Sequence, residues 1–202
     1  MPASLRPYVY LLFNLVTFTQ AHELVNMKIL CPTIVCDIRY ATENNFTKQC
    51  IYNSPGCYLH KDAAIALKKV VDELAQEGLG IKIFDAYRPL SAQWKLWHIC
   101  PDPRYVSDPR KGGRHTRGTA VDLTLIHLHD GGELAMPTEF DCFDKRAWIS
   151  YTNLPEKIIA NRTKLQTIMR KHGFTTIKTE WWHFDLKDFT RYAILDIAFE
   201  SM

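Results

Sequence analysis

Two histidines, an aspartate and a glutamate carry the chemistry that this sequence can offer. The first group lies in Gly113-Arg114-His115-Thr116-Arg117-Gly118-Thr119-Ala120-Val121-Asp122, an imidazole and a carboxylate set around a glycine turn. The second, much further along, is Glu180-Trp181-Trp182-His183. Three ligands of the His/Asp/His type, one open position and a spare carboxylate are the parts of a catalytic zinc site. Each residue also has a plainer reading. A carboxylate in an apolar strand needs a partner, and Arg88, Arg114 or Arg117 would serve Asp122 as well as a metal. His183 alone reads as a satisfied core histidine.

The elements that must position these groups follow from periodicity. Residues 27–40 read as a strand, which would carry Tyr40. Lys61 to Glu77 reads as a helix with Leu67, Val70, Val71 and Leu74 on one face. Ile81 to Asp85 reads as a strand, and Pro89 and Ser91 open a helix to Cys100 with Trp94 and Trp97 toward the core. Residues 101–114 read as loop, Ala120 to Leu128 as a buried strand, and Pro155 to Lys171 as a helix. Phe174 to Thr179 and Trp181 to Leu186 read as strands. Strict alternation would put Glu180 and His183 on opposite faces, so an irregular start is expected at Glu180. The pattern predicts one α+β domain, with a mostly antiparallel central sheet, helices packed against it and the zinc site at the sheet centre.

The chain of 202 residues carries a formal net charge of +3 with both signs interspersed, which gives no argument for nucleic acid. GxSxG, Walker A, GxGxxG and HExxH patterns are absent. Arg6, the apolar run Tyr8 to Phe18 and the small residue Ala21 read as a signal peptide over residues 1–21, with the zinc domain at 22–202. The run is too short to span a bilayer, so export to a periplasmic or external space is expected, without stable membrane insertion. A buried N-terminal element is the competing reading. The six cysteines fit either local disulfides, Cys50 with Cys57 and Cys31 with Cys36, or buried free thiols.

At these residues the chain resembles the D-alanyl-D-alanine dipeptidases, the VanX-type branch of the zinc D-Ala-D-Ala peptidases. The family pattern SxHxxGxAxD stands as Gly113-x-His115-x-x-Gly118-x-Ala120-x-Asp122, and the later Glu-x-x-His element as Glu180 to His183. Tyr40-Ala41-Thr42, Asn45-Phe46, Asp85-Ala86-Tyr87-Arg88-Pro89, Phe140-Asp141 and Asn161-Arg162 match as well. The resemblance implies one zinc ion per chain on His115, Asp122 and His183, with Glu180 as base and Arg88 on the oxyanion. It implies Asp141 at the ammonium of a small dipeptide, with Tyr40 nearby. The family serine is Gly113 here; Arg114 beside it is a candidate contact for the substrate carboxylate. A D,D- or L,D-carboxypeptidase and a non-catalytic zinc-bound peptide-recognition domain are the rival expectations.

Overall fold

The computed structural model describes residues 23–202; the expected signal segment lies outside them. Strands β1 (Leu24–Asn26) and β3 (Tyr58–His60) form a small antiparallel pair. The main sheet has the order β2 (Val35–Cys36), β4 (Leu79–Asp85), β5 (Ala120–His127), β7 (His183–Leu186), β6 (Phe174–Thr176). Only β2 and β4 run parallel; the other three pairings are antiparallel. Helices α2 (Lys61–Ala75) and α4 (Glu156–Lys171) contact each other and pack on the sheet. The α+β single domain is as the patterning predicts, and no described helix is long and apolar enough to cross a membrane.

Asp122 is the β5 residue in register with both neighbours, Asp85 of β4 and His183 of β7. Paired residues on adjacent strands share a face, so three chemically active side chains emerge together. A bulge between Ile83 and Asp85 ends the β4 pairing there and turns the chain toward Arg88. Glu180 lies in the irregular run 177–182 ahead of β7, which frees it from strand alternation. Behind the site, Phe140 packs on Phe84 and Trp182, with ring centroids 4.9 and 5.5 Å apart.

Several local expectations are corrected. Residues 27–40 are not one strand: Asn26 caps a short helix α1 (Met27–Leu30), β2 follows, and Tyr40 sits in a 3-10 turn, Arg39–Ala41. Pro32 interrupts any longer element. In α3 (Leu90–Ile99) the buried face is Ala92, Gln93 and Leu96, while Trp94 and Trp97 are only partly buried. All six cysteines are free. Cys31 ends α1 and Cys36 lies on β2, whereas Cys57 has its thiol beside Cys36 rather than Cys50.

The last residues strap the ligand-bearing corners. Tyr87 donates to Ile197 O and accepts from Ile197 N. Leu90 N donates to Leu195 O, and Leu195 N donates to Thr116 O.

Gly118 ends the His115–Arg117 turn at φ +67, and a Cβ there would lie 2.8 Å from the His60 backbone N. Gly118→Ala therefore combines left-handed strain with a backbone clash. Denaturant unfolding should show a loss of more than about 1 kcal/mol, and wild-type stability would contradict this packing.

Candidate metal centre and substrate pocket

His115 is presented by its 3-10 turn, Asp122 by β5 and His183 by the first residue of β7. All three are buried and form a potential metal-binding group. His115 Nε2 and His183 Nδ1 are 3.3 Å apart. Asp122 places Oδ1 at 2.9 Å from His183 Nδ1 and Oδ2 at 3.4 Å from His115 Nε2. Tetrahedral bonds of about 2.0–2.1 Å separate neighbouring ligand atoms by about 3.3–3.4 Å, so the triangle is close to the size a zinc ion requires.

The outer ring nitrogens decide what the inner ones present. His115 Nδ1 lies 2.7 Å from Ala86 O. A carbonyl only accepts, so Nδ1 carries hydrogen and neutral His115 offers a lone pair from Nε2. His183 Nε2 lies 2.8 Å from Asp185 Oδ1 and its Nδ1 lies 2.9 Å from Asp122 Oδ1. Both carboxylates only accept, so the metal-free ring carries hydrogen on both nitrogens, and loss of the Nδ1 proton would bare that nitrogen for a metal. Two inward ring nitrogens and a carboxylate thus converge on one point, held in the metal-free chain by the His183 proton and suited to a metal cation in its place. Burial disfavours a charged His183, yet Asp185 and Asp122 raise its pKa well above the ordinary value. Burial would raise Asp122, but His115 and His183 hold it below the usual carboxylate range.

Arg88 is nearly buried beside this group. Its Nε and Nη2 donate to Asp85 Oδ2 at 3.1 and 2.5 Å, and Nη1 donates to Gln93 at 2.8 Å. Tyr52 donates to Asp85 Oδ1 at 2.8 Å and accepts from Arg88 Nε at 3.3 Å. The guanidinium carbon stands 4.9 Å from the Tyr40 ring centroid. Burial opposes the Arg88 charge, and Asp85 more than offsets it. Arg88 N also donates to His115 O at 3.1 Å, tying the arginine corner to the histidine turn.

A cavity of about 60 Å³ is lined by Tyr40, Arg88, Arg114, Asp141 and Glu180 together with the three potential ligands. A roomier hollow of about 460 Å³ beside Cys36 and Cys57 shares none of these residues. Burial lifts the Glu180 carboxyl to about 7, with the His183 charge opposing. Its only ion-pair neighbour among the described residues is His183, at 3.9 Å. Tyr40 donates to Asp141 Oδ1 at 3.1 Å, and Asp141 Oδ2 is buried without a partner. Asp141 holds φ +59, a strained setting that Asp tolerates better than most residues. Burial, then the Asp122 charge, raises its carboxyl to about 8.

Arg114 occupies the cavity wall, but its Nε lies 2.9 Å from Asp185 Oδ2 and its guanidinium is stacked on Phe189. Its closest carboxylate is thus one of the chain's own. Asp185, Asp85, Tyr52 and Gln93 were not singled out by sequence reasoning. Two signals were available: Asp85 ends an apolar strand three residues before an arginine, and Asp185 shares His183's strand face at i+2.

Three converging potential ligands, an uncommitted glutamate and a buried arginine have the composition of a metallohydrolase centre. The chain belongs to the D-ala-D-ala dipeptidase family of M15 peptidases, whose model matches residues 20–199. It is 42% identical over 173 residues to a D-alanyl-D-alanine dipeptidase of Escherichia coli, covering 86% of this chain and 89% of that protein. A D-alanyl-D-alanine dipeptidase of Enterococcus faecalis is 31% identical over 172 residues, covering 75% and 85%. A vancomycin-resistance D,D-pentapeptidase from a VanB-type cassette, solved with Zn(II), matches with TM-score 0.44 and 15% identity. That match covers 68% of this chain and 77% of that one.

The raised Asp141 carboxyl has a sign that can be checked. Between about pH 4, the unfolded value, and about 8, the metal-free native state holds a proton that the unfolded chain has lost. Stability must fall as pH rises through that window. Asp141→Asn removes the slope, so its gain over wild type should grow from about pH 5 to about pH 8, reaching on the order of a few kcal/mol. Denaturant unfolding of the metal-free proteins reads this directly, and equal gains at both pH values would mean the native carboxyl is ionised.

Proposed function

We propose that the chain hydrolyses D-alanyl-D-alanine to two D-alanines, using one zinc ion per chain held by His115, Asp122 and His183. The observation that carries this reading is the convergence of two inward ring nitrogens and a carboxylate beside the uncommitted Glu180. When bound, zinc supplies Lewis acidity and brings the pKa of a coordinated water toward about 7.

The chain's own groups account for the remaining chemistry. Glu180 is the base that removes the water proton and returns it to the leaving amine. Arg88 keeps one N–H on each terminal nitrogen after its bonds to Asp85, Gln93 and Tyr52. Those N–H groups serve the carbonyl oxygen as it gains negative charge. Asp141 and Tyr40 receive the substrate ammonium: the unpartnered Asp141 oxygen lacks the donor that an ammonium provides. The terminal nitrogens of Arg114, which its Nε pairing leaves available, face the substrate carboxylate. Charged groups at both ends of a small cavity select a dipeptide and reject longer peptides. The run from Tyr8 to Phe18 ahead of Ala21 supports export, which suits dipeptide salvage or wall turnover.

Glu180→Gln should retain one zinc per chain while kcat on D-alanyl-D-alanine falls by about 10²–10⁴-fold. An active variant would sink the mechanism, and release of D-alanine from a pentapeptide by the wild type would move the reading to a carboxypeptidase. Amino-terminal sequencing of protein secreted by its host should find the chain starting near His22. An intact Met1 would remove the export assignment.

A further inference from the structure

Asp185 is buried on β7 two residues after His183, so both side chains leave the same face of the strand. Its Oδ1 lies 2.8 Å from His183 Nε2 and its Oδ2 lies 2.9 Å from Arg114 Nε. The second contact is an ion pair without hydrogen-bond alignment, since Arg114 Nε has no aligned acceptor. Arg114 immediately precedes His115. Its carbonyl accepts from Thr119 N and Thr119 Oγ1 at 3.3 and 3.1 Å, which fixes the guanidinium's root beneath the first ligand. Phe189 stacks on the guanidinium at 5.1 Å.

We propose that Asp185, seated by Arg114, is the positioning residue of the metal centre, holding the His183 ring so that Nδ1 faces the metal. This rests on the zinc reading given above. The two histidines differ in a way that makes the role specific. His115 Nδ1 hydrogen-bonds a backbone carbonyl, Ala86 O, at 2.7 Å with the Asp85 carboxylate further off at 3.6 Å, whereas His183 Nε2 hydrogen-bonds a carboxylate at 2.8 Å. A carboxylate behind an imidazole fixes its tautomer and pushes electron density onto the opposite nitrogen. Charge balance explains the arginine. With metal on Nδ1 the His183 ring is neutral, and a buried Asp185 then needs another cation to remain ionised. Arg114 is that cation, and it also couples the loop bearing His115 to the strand bearing His183. The position beside the missing family serine thus serves the metal as well as the pocket.

Zinc affinity, measured by chelator competition, separates this from a merely structural role. Asp185→Ala should weaken zinc binding about 10–100-fold, and Arg114→Met should weaken it by less. Asp185→Asn keeps an acceptor for Nε2 and should fall between wild type and the alanine variant. At saturating zinc, kcat of the Asp185 variants should drop while KM holds, and the visible spectrum of their cobalt-substituted forms should shift. Asp185→Asn and Arg114→Lys keep the volume and polarity needed for folding should the harsher variants collapse. Wild-type zinc affinity and an unchanged cobalt spectrum in Asp185→Asn, Asp185→Ala and Arg114→Met would overturn the positioning role alone. A wild-type protein that takes up no zinc would overturn the zinc reading itself.

Discussion

The site depends on one electrostatic constraint: two imidazoles are pinned from outside so that their free nitrogens face each other at 3.3 Å. Left neutral, that pair is repulsive, and Asp122 adds a negative charge to it. The surrounding fold resists relief by motion, because each outer anchor lies in or directly beside a strand of the main sheet. Ala86 O follows the end of β4, and Asp185 lies within β7. A proton on His183 relieves the strain in the metal-free chain, and a dication relieves it more completely. Metal selection in this picture is a property of the sheet register as much as of the ligands.

Burying so many charges requires that each be answered locally. Asp85 answers Arg88, Arg114 answers Asp185, and the histidines answer Asp122. Two carboxyls, Glu180 and Asp141, have no full-time cation, and both are lifted toward neutrality by burial. Those two face the cavity, where substrate and metal would supply the missing positive charge. Among the carboxyls of the described residues, those two alone keep an oxygen or a charge unanswered by a neighbouring side chain at the cavity.

The helix α2 and the strands β4 and β5 were legible in the sequence because each buries a mainly apolar pattern, and α4 because Leu165, Ile168 and Met169 mark its buried face between a proline and a glycine. His115, Asp122, Glu180 and His183, which gather at one cavity, stood out in the sequence because their types carry chemistry whatever the fold. Asp185 and Gln93 were not, since their value lies in partners fixed only by tertiary structure. Gln93 shows the difficulty well. It occupies the buried face of α3 because Arg88 and the Ser107 carbonyl satisfy it, while the more apolar Trp94 and Trp97 stay at the rim. The segment 27–40 misled for a related reason: loose alternation there conceals a capped helical turn and a proline break, neither of which carries an apolar period.

The strap formed by Leu195 and Ile197 has a consequence for how the protein comes into being. During synthesis His115 and Asp122 emerge well before His183, and the residues that clamp Tyr87, Leu90 and Thr116 emerge later still. A nascent chain therefore carries two of the three potential ligands on unclamped corners. A product that stops short of residue 183 lacks one potential ligand, and one that stops short of residue 195 lacks the strap across the other two.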